Sequence, residues 1–320
     1  MTLAVGKEES PLVAVYPPET CLENAVLAAG GTVSDLETAT GVVVSEMSID
    51  SLGAVLQVAQ RMRWVQLRSA GIESLTGSAL ANVLVARRVT VTNAAAIYGP
   101  NVAEHALGLI LGMQRNLFRA ARSDRWVPMS AGRTLYKRRV CVIGAGGIAV
   151  ALQKLLQPFD CEITVVRRRA IPMPGVAQTL GLDSLYEALQ KTDIVVVACP
   201  LTPDTFGLLD QDAFNQMQQQ PLIVNVGRGA VVDTDALQAS LVRTVISGAA
   251  LDVTDPEPLP PEHPLWGFEN VVITPHMAND RLLGENAYIA LVADNVGRFV
   301  KNAELVNIVH PQDLTGGDFP

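Results

Sequence analysis

The stretch from Arg139 to Arg169 sets the terms for the rest of the chain. An apolar run, Arg139-Val140-Cys141-Val142-Ile143, leads directly into Gly144-Ala145-Gly146-Gly147-Ile148-Ala149. An apolar helical pattern follows, and then a second β-rich run, Glu162-Ile163-Thr164-Val165-Val166. Strand, glycine turn, helix and strand at this spacing predict a βαβ unit, which commits the chain to a parallel sheet. The turn fits G-x-G-x-x-G/A, with Ala149 in the third slot. Gly144 permits the tight turn, Gly146 lets the backbone approach a pyrophosphate, and the small Ala149 lets the helix close on the strand. Around Gly147 and Ile148 the new helix offers free N–H groups and a partial positive charge to phosphates.

The second strand of such a unit ordinarily ends in an acid that holds a ribose 2′-hydroxyl. Here it ends in Arg167, with Arg168 and Arg169 behind it. Guanidinium groups make charge-assisted, bidentate bonds to phosphate, whereas a carboxylate would repel one. The expected cofactor is therefore NADP, with NAD as the second choice. A solvated basic turn is the plainer reading of the same arginines.

The chain has 320 residues, enough for two domains. With 49% hydrophobic and 18% charged residues it can bury a large core. A net charge of −8 and a pI near 5.1 argue against a nucleic-acid partner. No apolar run reaches the length of a membrane span, so no membrane partner is expected. Met1 to Pro11 carry Lys7, Glu8 and Glu9 and no apolar signal core. Cys21, Cys141, Cys161 and Cys199 form no C-x-x-C pair and stand at no zinc-site spacing. Free thiols in a reducing cytoplasm, and no metal site, are the expectation.

Residues 11–100 alternate short apolar runs with helical patterns. The strand-like runs are Pro11–Tyr16, Gly41–Ser45, Trp64–Arg68 and Val89–Asn93, with helical stretches at 19–30 and 49–61. This alternation predicts a small parallel sheet with helices on both faces. Gly99-Pro100 then opens one long, largely apolar helix over 102–121, with Asn101 as its N-cap. Such a helix can join two domains and pack on a partner subunit. Beyond the glycine turn come further apolar strands at 193–198, 222–226, 248–252 and 271–274. Such continuous runs are buried on both faces of a parallel sheet, whose ligands bind outside the carboxyl ends of the strands. Just past those ends stand Cys199-Pro200-Leu201-Thr202-Pro203, Gly227-Arg228-Gly229, Asp252-Val253-Thr254-Asp255-Pro256-Glu257 and Pro275-His276. A final helical run, 280–301, is expected to carry the tail back to the first domain. The implied division is 1–100 plus 288–320 for one domain and 101–287 for the dinucleotide-binding domain.

The order of these motifs resembles the D-isomer-specific 2-hydroxyacid dehydrogenase family. The resemblance rests on the glycine turn, Pro-Leu-Thr-Pro, Asn-Val-Gly-Arg-Gly-Ala-Val-Val-Asp, Ala-Leu-Asp-Val-Thr-Asp-Pro-Glu-Pro-Leu-Pro and Ile-Thr-Pro-His. It runs from about residue 64 to 310, and Val102-Ala103-Glu104-His105 is similar to the family's interdomain helix. It implies an α/β fold of two doubly wound parallel-sheet domains: a Rossmann cofactor domain and a flavodoxin-like substrate domain. It also implies a catalytic trio. Arg228 would grip the carboxylate and keto oxygen of a 2-keto acid, His276 would be the proton donor and acceptor, and Glu257 would pair with the histidine. Asp252 would hold the nicotinamide carboxamide, and Ser69-Ala70-Gly71 would bind the substrate carboxylate. Pro200 and Val226 would line the cofactor, and a homodimer is the implied assembly.

The residue types suit that chemistry. Reduction of a keto group needs an acid near neutral pH, which histidine supplies. Arginine is always charged and presents parallel donors to a carboxylate. Taken singly, each residue also has a plain structural reading: Glu257 as a solvated acid, Arg228 as a turn residue, His276 as a strand-end residue bonded to backbone. His105, His263 and His310 read as structural.

The chain departs from the pattern at Ala95-Ala96, where the family often has Pro-Gly. No appended regulatory domain is visible. Among the relatives, the arginine cluster and short chain resemble the glyoxylate/hydroxypyruvate reductase branch. Alternatives are a D-3-phosphoglycerate dehydrogenase, for which Arg68 is a weak phosphate-binding candidate, and a non-enzymatic NAD(H)-sensing protein like the corepressors of this fold. A carboxylate rather than an amide at Glu257 disfavours a formate dehydrogenase.

Overall fold

The computed structural model describes residues 11–316, apart from 47, 127 and 129–131. The sequence reading of the first ten residues lies outside the described residues. The chain divides into two units, with joints at Ile97/Tyr98 and Arg281/Leu282; the first unit is built from both ends of the chain.

In the first unit, strands β1 (Leu12–Tyr16), β2 (Thr32–Val33), β3 (Gly41–Val44), β4 (Trp64–Gln66) and β5 (Thr90–Thr92) pair in parallel. Their spatial order is β5-β4-β3-β1-β2, the flavodoxin-like doubly wound order. A short strand, Ile308–Val309, adds antiparallel to β5, with Val309 opposite Val91. Two residues are too few to show a period, which is why the sequence reading passed over it. Val42, Val44, Leu56, Val65 and Leu84 lie in one core cluster. The Arg281–Val300 helix is tied to this sheet by buried polar bonds: Tyr288 donates to the Val44 carbonyl at 2.7 Å, and Asn295 Nδ2 donates to Gln66 Oε1 at 2.8 Å. Buried polar groups satisfied in this way fix one register of helix on sheet.

Among the described residues the second unit holds seven strands: β6 (Arg139–Ile143), β7 (Glu162–Arg167), β8 (Gln178–Gly181), β9 (Ile194–Val197), β10 (Leu222–Asn225), β11 (Gly248–Leu251) and β12 (Val271–Ile273). All pair in parallel, in the order β8-β7-β6-β9-β10-β11-β12. The order reverses between β6 and β9, which makes this a Rossmann sheet with its switch point beside the glycine turn. Strand β9 explains the continuous apolar runs. Ile194 and Val196 face one core cluster, Val195 and Val197 the other, and all four are fully buried. Each such side chain contributes roughly 1.5–3 kcal/mol by leaving water. Strand β8, Gln-Thr-Leu-Gly, lies at the sheet edge and shows no apolar run, so its sequence did not announce it.

The single helix expected over 102–121 is corrected. The chain forms a helix over Gly99–Gln114, with Pro100 in its first turn, and a separate short helix over Leu117–Ala121. Asn116, at φ +57, makes the break. Proline is preorganised for a first helical turn, so the helix starts before Asn101 and that residue is not its cap. Val102, Ala103, Ala106, Leu109 and Ile110 bury against Ala149, Leu152 and Leu156 of the Gly147–Leu156 helix in one cluster. Among the described residues, no helix is long and apolar enough to cross a membrane.

Candidate active site

Because β6 to β12 are all parallel, their carboxyl ends share one edge, and the residues singled out in this unit stand along it. The glycine turn comes first. Gly144 has φ +115, and a Cβ there would come 2.5 Å from the Ala198 carbonyl oxygen, so the turn admits only glycine. Gly146 is different. Its φ is −83, and an added Cβ would meet nothing within 4 Å. Among the described residues nothing requires a glycine there, whereas a phosphate approaching the N-terminus of the Gly147–Leu156 helix would. Ala149 is buried, as close helix–strand packing demands, and Ile148 is half-buried.

Arg167 ends β7, beside β6, and its guanidinium donates to the Ile171 carbonyl at 3.3 Å. Arg168 is exposed. No acid occupies the end of this strand, and the basic pair stands at the same edge as the glycine turn. These features fit a dinucleotide bearing a 2′-phosphate. Pro200, exposed beyond β9, belongs to a turn fastened by Thr205, whose hydroxyl donates to the Pro200 carbonyl at 2.7 Å. Val226 is buried immediately past β10.

Arg228 follows β10 in a turn shaped by Asn225, which is 1% exposed. Asn225 Nδ2 donates to the Arg228 carbonyl at 2.9 Å, and its Oδ1 accepts from Gly227 N at 3.1 Å. The Arg228 guanidinium donates to the Gly227 carbonyl at 2.8 Å. A Cβ on Gly229 would collide with the Thr254 backbone, so the Arg228 turn sits directly against the loop after β11. That loop carries Glu257. Its carboxylate meets His276 across 2.7 Å, Oε1 to Nδ1, with both side chains substantially exposed. Two members of the expected trio therefore touch, and the third lies in the turn packed on the same loop.

His276 itself has φ +50, an uncommon conformation for a residue with a side chain. Asp252 holds it there. The Asp252 carbonyl accepts from His276 N at 2.9 Å. Its carboxylate, 2% exposed, accepts from Met277 N at 3.0 Å, Ala278 N at 3.1 Å and the Thr274 hydroxyl at 2.6 Å. The side chain expected to face a nicotinamide is thus already engaged in folding the His276 loop. Sequence reasoning missed these supports, Asn225, Thr274 and Thr205. The one available signal was a polar residue ending or just following an apolar strand. His263 caps the Pro264–Gly267 turn, its Nδ1 accepting from Leu265 N at 3.2 Å.

In the first unit, Ser69, Ala70 and Gly71 follow β4. Their loop is held by Ala94 N, which donates to the Ser69 carbonyl at 2.9 Å, and by Asn93 Nδ2, which donates to the Ala70 carbonyl at 2.7 Å. Arg68 is engaged: its guanidinium pairs with Glu19 at 3.1 Å, donates to the Ser45 carbonyl at 2.8 Å and lies over the Tyr288 ring. Ala96 adopts φ +70, so the position after Ala95 keeps a left-handed backbone without glycine. Glu19, Cys21 and Glu285 bring possible ligand atoms within 4.8 Å of one another, an acidic group whose Glu19 is already paired with Arg68.

Comparison with known proteins agrees with this fold. The family model for the NAD binding domain of D-isomer specific 2-hydroxyacid dehydrogenases matches residues 107–278. A Corynebacterium melassecola protein, known as an uncharacterized protein in the proB 3′ region, is 37% identical over 226 residues, 69% of this chain and 73% of that protein. The glyoxylate reductase/hydroxypyruvate reductase of Homo sapiens is 32% identical over 262 residues, 79% of this chain and 76% of that enzyme. Among solved structures, a D-isomer specific 2-hydroxyacid dehydrogenase from Xanthobacter autotrophicus Py2, crystallised with NADPH and MES, superposes with a TM-score of 0.78 at 27% identity, covering 95% of this chain and 99% of that one. With a parallel dinucleotide-type sheet, a His–carboxylate pair at its carboxyl edge and these matches, the chain belongs to the D-isomer-specific 2-hydroxyacid dehydrogenase family of NAD(P)-dependent oxidoreductases.

Proposed function

We propose that this enzyme reduces a small 2-keto acid, of the glyoxylate or hydroxypyruvate kind, to the D-2-hydroxy acid, and that it prefers NADPH. The observation that carries the reading is the 2.7 Å contact between His276 Nδ1 and Glu257 Oε1. A carboxylate on Nδ1 orients the ring and leaves Nε2 as the nitrogen that gives its proton to the keto oxygen. Arg228 binds the substrate carboxylate and offsets the negative charge that develops on that oxygen. When bound, the nicotinamide supplies hydride to the keto carbon.

The Tyr98–Arg281 unit holds the cofactor in this reading. Gly144, Gly146, Gly147 and Ile148 cradle the pyrophosphate, Pro200 and Val226 line the nicotinamide side, and Arg167 and Arg168 take the 2′-phosphate. The human relative's name supports the substrate class, and the NADPH in the Xanthobacter structure supports the cofactor. The engagement of Arg68 with Glu19, Ser45 and Tyr288 disfavours it as a phosphate anchor for a phosphoglycerate substrate. Homodimeric assembly in the cytoplasm belongs to the same proposal and is carried by the resemblance alone.

The test is steady-state oxidation of NADPH and NADH with glyoxylate, hydroxypyruvate, pyruvate and 3-phosphohydroxypyruvate, with Arg228→Ala and His276→Ala as controls. Turnover of glyoxylate or hydroxypyruvate with NADPH, lost in both variants, is the expected result. Preference for 3-phosphohydroxypyruvate would replace the substrate assignment. Tight NADPH binding without turnover of any acid would favour a sensor.

A further inference from the structure

We infer that His105 is a positioning residue for His276, acting through Thr274 and Asp252. The inference rests on the reading of His276 as the proton donor. His105 and Asn101 lie four residues apart on the Gly99–Gln114 helix, and therefore on one face of it. Both reach the loop that carries His276. Asn101 Nδ2 donates to Asn279 Oδ1 at 3.1 Å, three residues after the catalytic candidate. His105 Nε2 lies 3.1 Å from the Thr274 hydroxyl, two residues before it, and 3.4 Å from Asp252 Oδ1.

The direction of these bonds follows from donor counting. The Thr274 hydroxyl has one proton, which it gives to Asp252 Oδ1 at 2.6 Å. Towards His105 it can only accept, and so can the Asp252 carboxylate. Nε2 of His105 must therefore carry a proton, which it directs at the Thr274–Asp252 pair. Asp252 in turn holds the backbone on both sides of the left-handed His276 through Met277 N, Ala278 N and its own carbonyl. A residue with positive φ keeps that conformation only when its surroundings over-determine it. The helix supplying the constraint is itself fixed, with Val102, Ala103 and Ala106 buried in the core. His105 thus extends the hold on His276 from the loop into a packed helix.

The test compares His105→Leu, which removes the donor, with His105→Gln, which restores an N–H. In His105→Leu, kcat should fall on the order of tenfold or more, as expected when a reacting group is loosened. KM for NADPH should stay within about twofold, because the change falls on transition-state positioning and not on ground-state binding. His105→Gln should recover most of kcat. A second readout does not depend on turnover: ¹⁵N-histidine spectra, with the His276 signals assigned by their loss in His276→Ala. Loosening of the loop should shift the His276 Nδ1 resonance in His105→Leu, and less so in His105→Gln. If the wild-type enzyme reduces no 2-keto acid, the functional reading fails while this spectrum still decides the positioning role. Should His105→Leu not fold, Thr274→Val and Thr274→Ser replace the pair, with valine expected to reproduce the loss and serine to rescue it. Unchanged kcat and an unchanged His276 resonance would overturn the inference. So would His105→Gln behaving like His105→Leu, which would mean that the imidazole only fills space.

Discussion

Glu257 Oε1 lies 2.7 Å from His276 Nδ1, although the two side chains keep 42% and 53% of their surface exposed. Core packing does not force this contact, and exposed ion pairs add little to stability. Its removal should therefore separate activity from folding. His276→Ala is expected to lower kcat by roughly 10²–10⁴-fold, the usual worth of a general acid. Glu257→Gln should lower it by about tenfold, the cost of a less firmly oriented ring. Thermal midpoints of both variants should match the parent within about 2 °C. Steady-state kinetics alongside thermal melts check this, and a Glu257→Gln enzyme with full kcat would remove the glutamate from the mechanism.

Arg167 and Arg168 follow strand β7 where a ribose-binding acid is absent. Replacing both by serine should raise KM for NADPH on the order of 10–100-fold, because charge-assisted bonds to a phosphate are lost. KM for NADH should barely change. Equal loss with both cofactors would assign the arginines to general electrostatics.

Ala96 keeps φ +70 in the loop after β5. A left-handed backbone costs a residue with a Cβ about 1–2 kcal/mol, of which glycine's extra chain entropy returns a part. Ala96→Gly is expected to stabilise the protein by about 0.5–1 kcal/mol, read as a higher urea midpoint at unchanged slope. A lower midpoint would show that the methyl group has a packing role.

Asp193 sits where β6 and β9 begin. Arg139 Nε donates to its Oδ2 at 3.0 Å and Arg139 Nη2 to its Oδ1 at 2.9 Å. Burial alone would raise the pKa of this carboxyl, but the Arg139 hydrogen bonds and the charges of Arg139 and Arg138 outweigh it and hold the pKa below the usual range. A carboxyl more acidic in the folded chain stabilises fully above the unfolded value, about 3.9, and that contribution disappears as the pH falls through the depressed folded value. Asp193→Asn should therefore cost about 1–2 kcal/mol at pH 7 and flatten the loss of stability below pH 4. Urea midpoints measured from pH 7 down to pH 3 test it, and parallel acid limbs in parent and variant would refute the assignment.

Cys141 and Cys199 are buried free thiols whose pKa burial pushes up to about 12. Only the thiolate attacks a disulfide reagent. At pH 8 both should resist a thiol-reactive disulfide in the native protein and react once urea unfolds it. Mass spectrometry of the labelled peptides distinguishes them from Cys21 and Cys161. Fast native labelling at Cys199 would reveal local opening at the end of β9.

Much of this fold was legible from local pattern. The run from Val140 through the glycine turn to Val166 carries its own periodicity, so a βαβ unit followed from neighbouring residues alone. Arg228, Glu257 and His276 could be picked out because each follows an apolar run, and a parallel sheet brings such positions to one edge. The sequence also determined the basic end of β7 and the absence of an acid there. Tertiary structure alone decided the strand order, the antiparallel Ile308–Val309 strand, the break at Asn116 and the engagement of Arg68. It also decided what supports His276. His105 and Thr274 are 169 positions apart in the chain, and Asn101 and Asn279 are 178 apart. Periodicity reports which face of an element is apolar, but it carries no information about which distant polar group will lie opposite. That pairing exists only after the Gly99–Gln114 helix has packed on the sheet and set Asn101 and His105 against the loop beyond β12.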